Sequence, residues 1–374
     1  RSPLPGLSAM NRSLSLGQKQ SARAPLSFSA IFRSLEDMCV NTFGKLFRIS
    51  IFGESHGSCI GCTIDGLPAG FKPDLESVRN ELMLRAPGSG IESTSRRETD
   101  DFRILSGFYS DRCTGMPMTA VFCNTDARSG DYPSALARPS HADYAAHEKF
   151  KGFNDPRGGG AFSGRMTAAL VFAGALARQL LEGLDIHIVS HIKRIGKVED
   201  APFDPLMKEV PKLDRRFPLI DSGIRSDFEC ELAHVRSCGD SVGGSVETAV
   251  LGMPVGVGEP FFDSIESVIS HIVFSVPGVH GISFGEGFRF AAARGSAMND
   301  SYAVGGNTVT NHSGGINGGL SNGMPLIFEV CFRPIPSIFT EQDMLDLETK
   351  STFKGRVKGR HDACILPRGC VVIE

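Results

Sequence analysis

Two histidines stand where a proton could be moved near neutral pH. His56 lies in Gly53-Glu-Ser-His-Gly57, a Ser-His pair bounded by glycines. His141 lies in the polar, proline-marked segment Arg138-Pro-Ser-His-Ala-Asp-Tyr144, with Asp143 as a candidate orienting partner. Imidazole is the side chain whose ordinary pKa falls in this range. The first segment formally matches the G-x-S-x-G nucleophile elbow, which would make Ser55 an acyl nucleophile. That elbow requires a helix after the serine, whereas Ser58–Asp65 reads as a strand. A tight turn presenting Ser55 and His56 to a cleft fits better, with a plain hairpin turn as the bland alternative. A surface-loop histidine remains an equal alternative for His141.

Around these residues the sequence gathers arginine and glycine. Arg157-Gly-Gly-Gly-Ala-Phe-Ser-Gly-Arg165 runs into an Ala/Leu-rich segment. Its glycines let backbone approach a ligand, and a helix N-terminus offers free N–H groups and positive potential to phosphate. This predicts a phosphate or flavin-phosphate cradle. It is not a Rossmann fingerprint, because no strand precedes it and the glycine spacing differs. Arg85-Ala-Pro-Gly88, with Arg96 and Arg97 close behind, could capture carboxylate or phosphate with guanidinium forks; solvated surface arginines are the alternative. Lys358-Gly-Arg-His-Asp-Ala-Cys364 crowds cations around Asp362. A carboxylate in that setting stays ionised and could act as a base, or the group is a surface salt-bridge cluster. Arg294-Gly-Ser296 and Asn311–Gly323 form a further glycine-dense region. Cys59-Ile-Gly-Cys62 lacks the helix N-terminus or second ligand pair that redox or zinc chemistry needs, so buried packing is expected there.

These basic loops belong to a chain of 374 residues with 39 Lys+Arg against 42 Asp+Glu, a net charge of −3. That balance disfavours a general nucleic-acid binder and implies a local, positively charged cleft for a small phosphorylated anion. The apolar run Ala168–Ala177 is too short to cross a bilayer. Ten cysteines without framework spacing read as reduced thiols in a cytosol-like compartment. Residues 1–37 are basic, Ser-rich and nearly free of acid. They read as upstream sequence before a start at Met38 or, alternatively, as an organelle transit peptide; no packed structure is expected there.

The elements that must position these residues can be read from periodicity. Strands are expected at 46–52, 58–64, 102–105, 118–123, 186–191, 245–251, 282–290 and 325–332. Helices are expected at 74–85, 165–183, 264–273 and 340–350. The elements do not alternate as βαβ units, which favours an α+β arrangement. The chain stops at Val371-Val-Ile-Glu374, mid-pattern, so a terminal element is expected to be missing.

Phe52-Gly-Glu-Ser-His-Gly57, Asp65-Gly-Leu-Pro68, Arg157–Thr167, Asn311–Gly323 and Gly359-Arg-His-Asp362 occur in the order seen in chorismate synthases, and the chain resembles that family from about Asn41 to Glu374. The resemblance implies one domain over 38–374, a layered β-α-β sandwich with helices between two antiparallel sheets. It implies conversion of 5-enolpyruvylshikimate-3-phosphate to chorismate and phosphate by 1,4-anti elimination, with reduced FMN and no net redox change. It further implies a cytoplasmic homotetramer, or a plastid protein if 1–37 is a transit peptide. NADPH would serve only indirectly, for flavin reduction, and an external flavin reductase is a possible partner.

By the same resemblance His56, His141, Asp362, Ser55 and Ser163 are catalytic. Ser163, Arg165, Gly295, Arg333, Pro334, Ser337 and Arg360 lie near the flavin, and Arg85, Arg138 and Arg157 hold substrate. No metal is implied. The chain departs from the family pattern at Ala161 (usually Arg), Met166 (usually Glu), Ile91 (usually basic), Ile335 (usually Thr) and Ala363 (usually Pro). A phosphate- or flavin-binding protein without catalysis is therefore the second reading, and a serine hydrolase at Ser55 the third.

Overall fold

The computed structural model describes residues 41–87, 100–124, 135–357 and 361–374. The expectations for 1–37, Ile91, Arg96, Arg97 and Arg360 lie outside the described residues.

Alternation builds the first sheet. In Met118–Cys123, Met118, Ala120 and Phe122 are fully buried while the residues between them face outward, as the two-residue period of a strand requires. The strands run in the order Thr42–Phe43, Arg48–Gly53, Cys59–Asp65, Met118–Cys123, Phe102–Ser106, all antiparallel. A second antiparallel sheet has the order Val198–Glu199, His187–Ile195, Gly244–Leu251, Leu326–Phe332, Val279–Phe284. Gly244–Leu251 is buried almost throughout because both its faces are covered. Helices cover one face; on the other, Phe203, Met207, Leu213 and Ile220 pack over Val189, Ala249, Leu251 and Ile327.

Between the sheets lie α1 (Leu75–Arg85), α3 (Thr167–Glu182) and α6 (Leu366–Ile373), packed on one another. The remaining longer helices are α2 (Asp143–Lys149), α4 (Arg225–Ser237) and α5 (Ile265–Val273). Asp74 caps α1, its Oδ1 accepting from Glu76 N at 3.0 Å and Ser77 N at 3.1 Å. The first turns of α3 are apolar on most sides (Ala168, Ala169, Phe172, Ala173 and Leu176 are buried), which suits an inner-layer helix. Phe172 meets the rings of Phe102 and Phe122 at 4.9 and 6.0 Å. The architecture is the expected α+β sandwich.

Two expectations are corrected. Residues 340–350 are not helical: Gln342–Asp346 is a strand that pairs with Thr352–Gly355 and Leu136–Ala137. Its apolar residues bury only Met344, which a strand does as well as a helix. The strand expected at 282–290 occupies Val279–Phe284, and Gly285 (φ +53°) then turns the chain into a 3₁₀ segment. Leu366–Ile373 forms α6, which sends Leu366 and Cys370 into the core of the second sheet and Val371 into that of the first. Glu374 closes this end: Oε1 accepts from Ser190 N at 2.8 Å, and Oε2 pairs with Arg178 and Arg215 at 3.1 and 2.9 Å.

Candidate active site

The Ser-His turn joins two neighbouring strands of the first sheet. Gly53 enters it at φ +96°, where an added Cβ would lie 2.4 Å from the Cys59 carbonyl oxygen, so only glycine fits. Ser55 is fully buried and His56 nearly so. A strand, Cys59–Asp65, follows the turn. Burial and topology together exclude the nucleophile elbow. The glycine loop lies against this turn. Ser55 N donates to the Gly160 carbonyl at 3.1 Å, and Ser163 Oγ donates to Ser55 Oγ at 3.1 Å. At Gly158 (φ +62°) a Cβ would stand 2.5 Å from His56 Nε2, so this glycine makes room for the imidazole.

A residue absent from the sequence reading braces the turn from the other side. Asn124 Nδ2 donates to the carbonyls of Glu54 (3.0 Å) and Gly57 (2.9 Å), spanning both ends. Its Oδ1 accepts from Arg165 Nε at 3.1 Å. Arg165 pairs with the fully buried carboxylate of Asp100, which also accepts from Arg85 Nε at 2.9 Å. Arg368 Nε donates to the Arg85 carbonyl at 2.8 Å, and its Nη1 holds Asp362 Oδ2 at 2.6 Å. A continuous polar chain thus runs from Asp362 through Arg368, Arg85, Asp100, Arg165 and Asn124 to the His56 turn. Arg368 is a cation on Asp362 that the sequence did not point to; Lys358 and Arg360 lie outside the described residues.

Arg85 is buried within this chain of contacts. Its side chain is 2% exposed, and its nitrogens reach Asp100, Gly164 O and Thr167 Oγ1. Burial, outweighing the Asp100 charge, draws its pKa down to about 10. Arg85 is thereby locked to Asp100 and to the start of α3. Arg165 is equally buried.

His141 is set by other partners than the one expected. Its Nδ1 donates to the Pro139 carbonyl at 2.9 Å, which leaves Nε2 to accept from Ser337 Oγ at 2.7 Å. Asp143 grips Arg138 instead, through Nε at 2.8 Å and Nη2 at 2.9 Å. Burial first, then the nearby Arg138 charge, push the His141 pKa down to about 4, so the ring is neutral at pH 7. His361, beside Asp362, lies near enough to add to that depression. Arg333 Nη1 donates to the Ser140 carbonyl at 3.2 Å, and its Nε is buried with no hydrogen-bond partner among the described residues. Pro334 packs over Gly243, where a Cβ would lie 2.9 Å from its ring.

Two expected residues sit differently. Arg157 is half exposed and forked onto Asp155 at 2.7 and 2.8 Å. Gly295 opens a single helical turn on a cavity of about 410 Å³ that Arg294, Asp300, Ser313 and Asn317 help to line. Of the departures from the family pattern, Met166 is 8% exposed in the core of the first sheet, where an apolar side chain is the better fit. Nothing in the structure accounts for Ala161.

Comparison with known proteins identifies the family. The family model described as chorismate synthase matches residues 47–374. The chorismate synthase of Thermococcus gammatolerans is 41% identical over 338 residues, 88% of this chain and 93% of that protein. That of Chitinophaga pinensis is 41% identical over 338 residues, 90% and 93% of the two chains. A solved structure titled "Crystal Structure of Chorismate Synthase" superposes with a TM-score of 0.66 at 25% identity, covering 88% of each chain. With its sandwich, its buried Ser-His turn and these relatives, the chain belongs to the chorismate synthase family.

Proposed function

We propose that this protein eliminates phosphate from 5-enolpyruvylshikimate-3-phosphate in a 1,4-anti sense to give chorismate, with reduced FMN as the resident cofactor. The observation that carries the reading is the buried Ser55–His56 turn, tied through Asn124 and the Asp100 arginines to Asp362. A carbon–oxygen lyase of this kind needs groups that hold and move protons beside an anion.

The residues present fit a flavin. The orphaned Nε of Arg333 is a donor awaiting an acceptor, and the left-handed glycines at 158–160 keep backbone low beside His56. Ser163, Arg165, Arg333, Pro334, Ser337, Gly295 and Arg360 would hold the group. Reduced FMN, when bound, supplies electron density as the phosphate leaves.

The protein's own side chains do the rest. His56, next to the Ser55 that Ser163 hydrogen-bonds, holds a proton for the departing phosphate or the flavin. His141 presents an unprotonated Nε2 through Ser337 and can accept a proton there. Asp362, paired with Arg368, takes the C6 proton as base. Arg138 and Arg157, fixed in their forks by Asp143 and Asp155, meet the substrate's anionic groups. Arg85 and Asp100 keep this set in register.

NADPH enters only through a separate flavin reductase, and the working state is a cytoplasmic homotetramer. Phe261, Phe262, Phe288 and Val304 are each more than four-fifths exposed, an apolar surface of the sort that self-association covers. The test is anaerobic phosphate release with and without chemically reduced FMN. Release only with the reduced flavin is expected; equal release without it overturns the proposal.

A further inference from the structure

The Cys59-x-x-Cys62 motif misleads about the partner of Cys59. Three residues apart on one strand, the two side chains point to opposite faces. Cys62 is fully buried against the helices, and Cys59 is half exposed on the outer face. Directly across the ladder from Cys59 stands Cys123, which is exposed.

The ladder geometry puts these thiols close together. Asn124 N donates to the Ser58 carbonyl at 3.2 Å, so Ser58 and Asn124 form a hydrogen-bonded pair. The next pair, Cys59 and Cys123, is therefore of the non-hydrogen-bonded kind, in which facing Cα atoms stand about 4.5 Å apart and side chains come closest. That lies within the Cα separation, roughly 4.4–6.8 Å, that a disulfide spans. Thr63 and Thr119 occupy the same kind of position on the same face of this ladder, and their hydroxyls touch at 3.0 Å.

We propose that Cys59 and Cys123 are a redox modification site: a cross-strand thiol pair that closes to a disulfide by exchange with a low-molecular-weight disulfide such as oxidised glutathione. The exposed Cys123 thiolate attacks one sulfur of the oxidant, whose S–S bond breaks and releases one glutathione thiolate. The Cys59 thiolate then attacks the Cys123 sulfur of the mixed disulfide and expels the second glutathione. Two protein thiols and one oxidised glutathione become one protein disulfide and two reduced glutathiones, the protons passing from cysteine to glutathione. The bond would join the strand that leaves the Ser55–His56 turn to the strand whose next residue, Asn124, spans that turn.

The experiment equilibrates the folded full-length protein with graded ratios of oxidised to reduced glutathione, blocks free thiols with N-ethylmaleimide and maps the peptides by mass. A linked Cys59–Cys123 peptide that disappears with dithiothreitol is expected. The variant C59A should instead leave a stable glutathionyl adduct on Cys123, and C123A should yield no linked peptide; circular dichroism checks that both are folded. Wild-type protein that keeps the adduct on Cys123 as C59A does, or keeps both thiols alkylatable at every ratio, overturns the proposal.

Discussion

Asn124 Nδ2 lies 2.9 Å from the Gly57 carbonyl oxygen, across 67 residues of sequence, and the same nitrogen reaches Glu54 O. One amide thereby fixes both ends of the turn that carries His56. Asn124→Ala removes the N–H groups that reach the Glu54 and Gly57 carbonyls. Turnover should fall about tenfold or more, the rate cost of about 1.4 kcal/mol of misplacement, with KM changed little. Steady-state kinetics decide it: an unchanged kcat would show that the turn holds itself.

Asp100 neutralises two guanidinium groups that have no contact with bulk water. Asp100→Asn keeps the shape and removes the charge, leaving Arg85 and Arg165 facing each other. Breaking one side of a buried ion cluster costs on the order of 3–5 kcal/mol. Urea unfolding should show a loss of that size, whereas a loss below about 1 kcal/mol would mean that water or another anion screens the arginines.

His141 should make the fold sensitive to mild acid. Its folded pKa of about 4 lies below the unfolded value of 6.5, held there by burial and Arg138. Between those values the unfolded chain binds the extra proton, so stability is lost as pH falls from about 6.5 towards 4. The contribution is up to about 3 kcal/mol. His141→Asn should flatten that part of the stability–pH curve; an unaltered slope would place the sensitivity elsewhere.

His191 runs the other way. Its ring is buried between Asp200 and Glu247, at 3.2 and 2.9 Å. Burial pulls its pKa down, but hydrogen bonds to the two carboxylates outweigh it and raise the value. This contribution is complete below pH 6.5 and disappears as pH rises through the raised folded value. Asp200 also accepts from the backbone of Ile220 and Asp221, so the clasp secures the 200–221 segment over the second sheet. Amide exchange across that segment should quicken as pH rises beyond the increase set by base catalysis. His191→Gln should show the quickened exchange already at pH 6.

Much of the sandwich was legible because its strands alternate and α3 is rich in Ala and Leu. α4 escaped notice because only Phe228 and Leu232 are buried along it, one helical step of signal in a charged segment. The stretch 340–350 was misread because Met344, Leu345 and Leu347 satisfy both periods. In the site, His56, His141 and Asp362 stand in marked motifs and could be picked out. Asn124, Asp100 and Arg368 could not: each is a single polar residue whose meaning comes from partners far off in sequence, as with the 283 positions between Arg85 and Arg368.

That last separation governs how the molecule is made. The inner layer takes α1 and α3 early and waits for α6. At about 5–20 residues per second, a ribosome needs on the order of tens of seconds to bring residue 368 out after residue 85. Once Glu182 has emerged, the nascent first sheet carries two helices whose flank for α6 is still unfilled. A nascent chain that stops short of Leu366 leaves that flank uncovered.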